Sequence, residues 1–134
     1  MLSGVTTAEP SQSITFYQDW LDRGYHASMR YLEEHASLKT DPSNLLHGVR
    51  SVIVVGLNYR QENPPVEGQP HIASYALGRD YHNLIRSKLK RLTKWIESTH
   101  PGASSRVCVD SAPILEREYA HRAGLGWFGK NTCL

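Results

Sequence analysis

Val107-Cys108-Val109-Asp110-Ser111-Ala112-Pro113-Ile114-Leu115-Glu116-Arg117 reads as a short apolar strand that breaks at Asp110-Ser111 and restarts as a helix behind Pro113. Proline suits the first turn of a helix, where its missing N–H has no partner to lose. Ser111 or Asp110 can cap that helix through a side-chain oxygen. Asp110 is thereby expected at the C-terminal tip of a strand, where open α/β sheets place ligands and reacting groups. Two roles stay open for it on these grounds: an ionised capping aspartate, or a proton donor or ligand anchor at a cleft.

Working outward, Val49-Arg50-Ser51-Val52-Ile53-Val54-Val55-Gly56-Leu57-Asn58-Tyr59 is a near-continuous β-branched run. It predicts a central strand buried on both faces, with helices on either side. Between the two stretches, Ile85, Leu89, Leu92 and Ile96 recur at helical spacing and predict a long helix over 81–99. Its other face carries Arg86, Lys88, Lys90, Arg91 and Lys94. Such a run is ordinarily a solvated face, and it is also the one local patch able to meet a phosphate backbone. Residues 61–71 are polar and proline-rich and predict a surface loop.

Towards the N-terminus, residues 1–10 read as a flexible lead-in and 11–134 as the folded domain. Ser11 or Ser13 can cap a helix carrying Ile14, Tyr17 and Leu21, stopped at Gly24. A second helix is expected from about Ala27 to His35, then a turn at Lys39-Thr40-Asp41-Pro42. Past the opening stretch, a helix over 113–123 closes at Gly124, and the last residues head into another strand. The expected class is α/β (α+β): a small mixed sheet with strands near 50–58, 72–76, 106–110 and 131–134, flanked by helices on its faces.

The totals exclude several function classes. A length of 134 residues suits one domain with a modest core. A net charge of +2 is too weak to argue for nucleic acid by itself. No apolar run approaches about 18 residues, so no membrane span is expected, and the first residues lack the pattern of a signal peptide. Cys108 and Cys133 make neither a CxxC pair nor a zinc spacing, and free thiols suit a reducing cytoplasm. The seven histidines are scattered without HxH or HExxH spacing. Gly124-Leu125-Gly126-Trp127-Phe128-Gly129-Lys130 matches two phosphate-loop patterns on paper. Both need a strand before and a helix after, and here a helix precedes.

Tyr75-Ala76-Leu77-Gly78-Arg79-Asp80-Tyr81-His82, the run Val109 to Arg117, and Ala123-Gly124-Leu125-Gly126-Trp127 with Gly129-Lys130-Asn131 together resemble the N-terminal domain of the epoxyqueuosine reductase family. Gly24-Tyr25-His26 with Met29, Tyr31 and Leu32 looks like that family's early helix pair. The resemblance covers roughly residues 14–134. It implies an enzyme that removes the epoxide oxygen of epoxyqueuosine in the tRNA anticodon loop, using cobalamin and two [4Fe-4S] clusters. It carries the catalytic aspartate onto Asp110, as proton donor to the substrate oxygen. It places Arg117 against cofactor or substrate, Ala73 and Tyr75 on the segment facing the corrin, and Lys39, Ser111 and Leu134 on the cofactor side. The family's cysteine-rich cluster run lies downstream of Lys130 and is not in this chain. The clusters are therefore expected from a missing C-terminal domain or a partner chain, and the fragment is expected to be inactive alone. The rival reading is a non-catalytic cofactor- or RNA-binding module acting with a partner chain. A reductive dehalogenase, the other cobalamin reductase weighed, usually carries a twin-arginine leader, and none is seen.

Overall fold

The computed structural model describes residues 2–60, 62, 67–68, 70 and 72–134. It confirms a mixed α/β fold of helices with a small sheet. The expected surface loop over 61–71 falls largely outside the described residues. The chain divides into two compact units, one of residues 56–109 and the other of residues 2–55 with 110–134.

In the discontinuous unit, strand β1 (Leu2–Thr7) pairs with strand β2 (Ser51–Gly56). The Ala8 N–H donates to the Arg50 carbonyl at 3.0 Å, just past the end of β1 and just before the start of β2, which makes the pair antiparallel. The flexible lead-in is thus corrected to a strand. What orders it lies far along the chain, in helix α4 (Glu116–Arg122). Tyr119, only 1% exposed, donates its hydroxyl to the Glu9 carbonyl at 2.9 Å. The Arg122 guanidinium donates to the carbonyls of Glu9 at 3.2 Å and Thr7 at 3.3 Å, pairs with the Glu9 carboxylate, and stacks 5.0 Å over the Tyr119 ring. Gly4 lets β1 approach so closely that a Cβ there would stand 2.6 Å from the Ala123 carbonyl oxygen.

Strand β2 falls inside its expected range, but not with two buried faces: Ile53 is 46% exposed. Among the described residues the sheet holds two strands, so three other strand expectations are corrected. Residues 74–76 form a 3-10 turn, 106–110 carry no strand, and 131–134 begin as a turn. A strand needs a neighbour to take its N–H and C=O groups, and β-branched composition does not supply one.

Helix α1 (Ile14–Asp22) ends as expected before Gly24, which is left-handed at φ +68°. Its expected serine cap is corrected: Ser13 makes no side-chain capping bond, and the Ser11 hydroxyl turns to Glu118. Helix α2 is shorter than expected, Arg30–Glu34, because Ala27 sits at φ +50°. At the expected turn, Asp41 accepts the Ser43 N–H at 2.7 Å and starts a 3-10 turn at Pro42. The other unit is built on helix α3 (Tyr81–Thr99), which matches its expected range; Asp80 caps it by accepting the His82 N–H at 2.9 Å.

Candidate functional site

The expected strand–helix junction at Asp110 has a different geometry. Asp110 is exposed and left-handed, at φ +52°, a conformation that aspartate tolerates better than most side chains. Behind it the chain makes two tight turns rather than a helix: the Ile114 N–H donates to the Ala112 carbonyl at 2.8 Å, and the Glu116 N–H to the Ile114 carbonyl at 3.0 Å. Helix α4 therefore starts at Glu116, not at Pro113, and its N-cap Leu115 has no capping side chain. Neither Asp110 nor Ser111 caps it. The relation runs the other way, because the Asp110 N–H donates to the Glu116 carboxylate at 2.9 Å.

Glu116 is the group that draws the site together. Although the residue reaches solvent, burial of its carboxyl pushes its pKa above the usual range, and the charge of Asp110 pushes the same way. The hydrogen bond from the Asp110 amide and the charge of Lys39 act against that rise. Lys39, half-buried, has its Nζ 5.0 Å above the Tyr17 ring. Desolvation lowers the Lys39 pKa, opposed by the negative charge of Glu116. Tyr17 is fixed in turn by donating its hydroxyl to the Leu32 carbonyl at 2.8 Å. So Lys39 and Asp110, 71 positions apart in the sequence, act electrostatically on one carboxyl.

Arg117 donates from its guanidinium to the Thr132 carbonyl, tying the start of α4 to the last turn of the chain. In that turn the Gly129 N–H donates to the Cys133 carbonyl at 2.8 Å, and Thr132 is left-handed at φ +63°. This turn, rather than a helix, follows the glycine cluster, which removes both phosphate-loop patterns. Gly124 closes α4 in a Schellman arrangement: its N–H donates to the His121 carbonyl at 2.9 Å, and the Leu125 N–H to the Ala120 carbonyl at 3.0 Å. Beyond it Trp127 is 80% exposed, and Phe128 and Leu134 are exposed as well. Ser111 is exposed beside Asp110.

Ala73 and Tyr75 belong to the α3 unit. Ala73 is the N-cap of the 3-10 turn, and the exposed ring of Tyr75 meets Tyr59 edge-on at 6.5 Å. On α3, Asn83, Arg86, Ser87, Lys90, Arg91 and Lys94 line an open furrow of about 410 Å³.

Sequence reasoning missed Glu118, whose carboxylate is buried at 6% exposure. Burial would raise its pKa, yet hydrogen bonds outweigh this and the net shift is downward. Ser11 Oγ donates at 2.5 Å, the Gln12 N–H at 2.7 Å and the Ser13 N–H at 3.2 Å, with Arg122 at 3.8 Å. The Glu118–Arg122 spacing of four was legible as a helical ion pair. That it also receives the entry to α1 was not.

Cys108 is half-buried and Cys133 exposed, and among the described residues neither is in a disulfide. Among the described residues no three His, Cys, Asp or Glu side chains gather as a metal would require, and no helix is long and apolar enough to cross a membrane.

A left-handed, exposed aspartate whose backbone N–H is held by a glutamate of raised pKa is the feature of this unit that stands out chemically. Residues 39–111, more than half of the chain, match the family model described as "Epoxyqueuosine reductase QueG, DUF1730". The epoxyqueuosine reductase of Gloeobacter violaceus is 46% identical over 116 residues, which cover 86% of this chain and 36% of that protein. A crystal structure of selenomethionine-labelled epoxyqueuosine reductase superposes with a TM-score of 0.78 at 25% identity, over 98% of this chain and 36% of the other. A second, of epoxyqueuosine reductase with an epoxyqueuosine-modified tRNA stem loop, gives 0.74 at 23% over 99% of this chain and likewise 36% of the other. The chain belongs to the epoxyqueuosine reductase family of oxidoreductases, and it spans about a third of the length of these relatives.

Proposed function

We propose that this chain forms the N-terminal, cobalamin-facing part of an enzyme that reduces epoxyqueuosine to queuosine in the tRNA anticodon loop, with Asp110 as the proton donor. The observation that carries the reading is the Asp110 loop. Its acid is exposed, and its backbone N–H is bound to a second carboxyl whose pKa burial raises. Burial and the charge of Asp110 both raise the Glu116 pKa, so the two carboxyls are electrostatically coupled in one site.

The residues of the discontinuous unit fit a large flat macrocycle. Trp127, Phe128 and Leu134 offer exposed apolar surface, and Arg117 and Ser111 would supply polar contacts to such a ligand. Lys39 holds the charge balance at Glu116 from its seat on Tyr17. In the α3 unit, Ala73 and the exposed Tyr75 are the cofactor-facing candidates. The iron–sulfur clusters do not fit this chain, since two cysteines cannot supply four ligands to even one. Those ligands belong to another segment or a partner chain.

Cobalamin, when bound, would supply the two electrons for removal of the epoxide oxygen, which leaves as water after taking up two protons. Asp110 meets the oxygen as negative charge grows on it and transfers its proton there. Exposed at the loop tip in the isolated chain, the acid would be screened from bulk water by a stacked ligand. The substrate's phosphates find cations on the α3 face, from Arg86 to Lys94. Two cysteines outside any disulfide suit a cytoplasmic enzyme.

The test is Asp110→Asn in the full-length enzyme that carries this segment. Its turnover of epoxyqueuosine-modified RNA should fall about 100-fold or more, the usual worth of a positioned acid, while the visible spectrum of bound cobalamin is retained. Turnover at the parent rate would remove the proton-donor role.

A further inference from the structure

We infer that Glu116 is a positioning residue for Asp110: its carboxylate takes the Asp110 backbone N–H and clamps residue 110 in the left-handed conformation that leaves the acid exposed. This rests on the reading of Asp110 as proton donor, and it adds a residue whose work is done through the backbone.

The geometry is specific. Asp110 takes φ +52°. The two successive turns, Ala112 to Ile114 and Ile114 to Glu116, then bring the first residue of α4 back to the loop it follows. The bond from the Asp110 N–H to Glu116 Oε1, at 2.9 Å, closes the ring. A charged acceptor makes this a stronger restraint than a neutral one, and a non-glycine residue in the left-handed region needs restraint from its surroundings. On the far side, Lys39 from the turn before Pro42 balances the carboxylate from its place over Tyr17. The arrangement opposes stability, since a desolvated carboxylate is held where a neutral group would cost less. A group kept against such a cost, in contact with a catalytic loop, is a candidate for function.

The experiment uses the full-length enzyme and three variants, Glu116→Gln, Glu116→Ala and Asp110→Asn. Hydrogen–deuterium exchange is followed on the peptide covering 109–112, and kcat and KM are measured on epoxyqueuosine-modified RNA. Glu116→Ala should quicken exchange of the Asp110 amide about tenfold and lower kcat about 30-fold with KM little changed, a loss of about 2 kcal/mol at the transition state. Glu116→Gln keeps an acceptor oxygen and should recover most of both losses. Should Glu116→Ala fail to fold, Glu116→Asp replaces it, because withdrawing the carboxylate by one methylene breaks the same bond without removing the charge. Equal kcat in the alanine and glutamine variants, or unchanged exchange at residue 110 in Glu116→Ala, overturns the clamp. Asp110→Asn separates the two ideas. If it turns over normally, the proton-donor reading fails. If it is inactive while Glu116→Ala is not slowed, the clamp alone fails.

Discussion

Glu118→Gln should destabilise the discontinuous unit at neutral pH and lose that effect in acid. The carboxylate receives three donors, from Ser11 at 2.5 Å, Gln12 at 2.7 Å and Ser13 at 3.2 Å, with Arg122 at 3.8 Å on the helix side. An amide presents one acceptor oxygen where the carboxylate has two, and its NH2 must then face the backbone N–H of Gln12 or Ser13, which can only donate. Bonds to a charged partner are worth about 1.5–3 kcal/mol net, so one strong bond lost gives a cost of about 2 kcal/mol. Alanine, which leaves every donor unpaired, should cost about 3–5 kcal/mol, a large share of the roughly 5–15 kcal/mol that holds a domain folded. The sign with pH follows from the downward shift of the Glu118 pKa. A carboxyl depressed in the folded state adds stability above its unfolded value of 4.5, and the contribution fades as pH falls through the lower folded value. Urea unfolding followed by circular dichroism at pH 7 and at successively lower pH reads both quantities. The gap between parent and Glu118→Gln should be full at pH 7 and shrink below about pH 4.5. Equal midpoints at pH 7, or a gap that widens in acid, would refute the assignment of a buried, hydrogen-bonded carboxylate. Glu116 serves as the internal control, since its pKa is raised. Its charge opposes stability above the unfolded value, so Glu116→Gln should be neutral or slightly stabilising at pH 7.

Gly4→Ala should cost about 1–3 kcal/mol, because the new Cβ would meet the Ala123 carbonyl oxygen at 2.6 Å and Leu125 Cδ2 at 3.1 Å; a melting temperature equal to the parent's would show that β1 has room to move. Lys90→Glu with Arg91→Glu on the furrow of α3 should weaken RNA binding and flatten its dependence on salt, each lost phosphate contact lowering the slope of log K against log[salt] by about 0.7–0.9; an unchanged slope would return these cations to the solvent.

Local periodicity and local chemistry settled much of this molecule in advance. Helix α3 follows from its apolar stripe and from Asp80 at its head, β2 from its β-branched run, and the end of α4 from Gly124, since each depends on neighbours within a few residues. Asp110 drew notice because an acid between an apolar run and a proline is conspicuous, and the resemblance of its surroundings to one family was carried by long literal strings. Three-dimensional packing decided the rest. The first residues look like a frayed end until Tyr119 and Arg122, more than 100 positions away, bind the backbone of Glu9 and Thr7. Asp110-Ser111-Ala112-Pro113 has the composition of a helix cap, yet residue 110 is left-handed and its N–H donates to Glu116. Glu116 and Glu118 lie two residues apart in one charged stretch, and only their partners make one a costly anion and the other a stabilising one. Side-chain spacing reports which face of a helix a residue takes; the donors that meet it there come from segments distant in sequence, and folding alone brings them together.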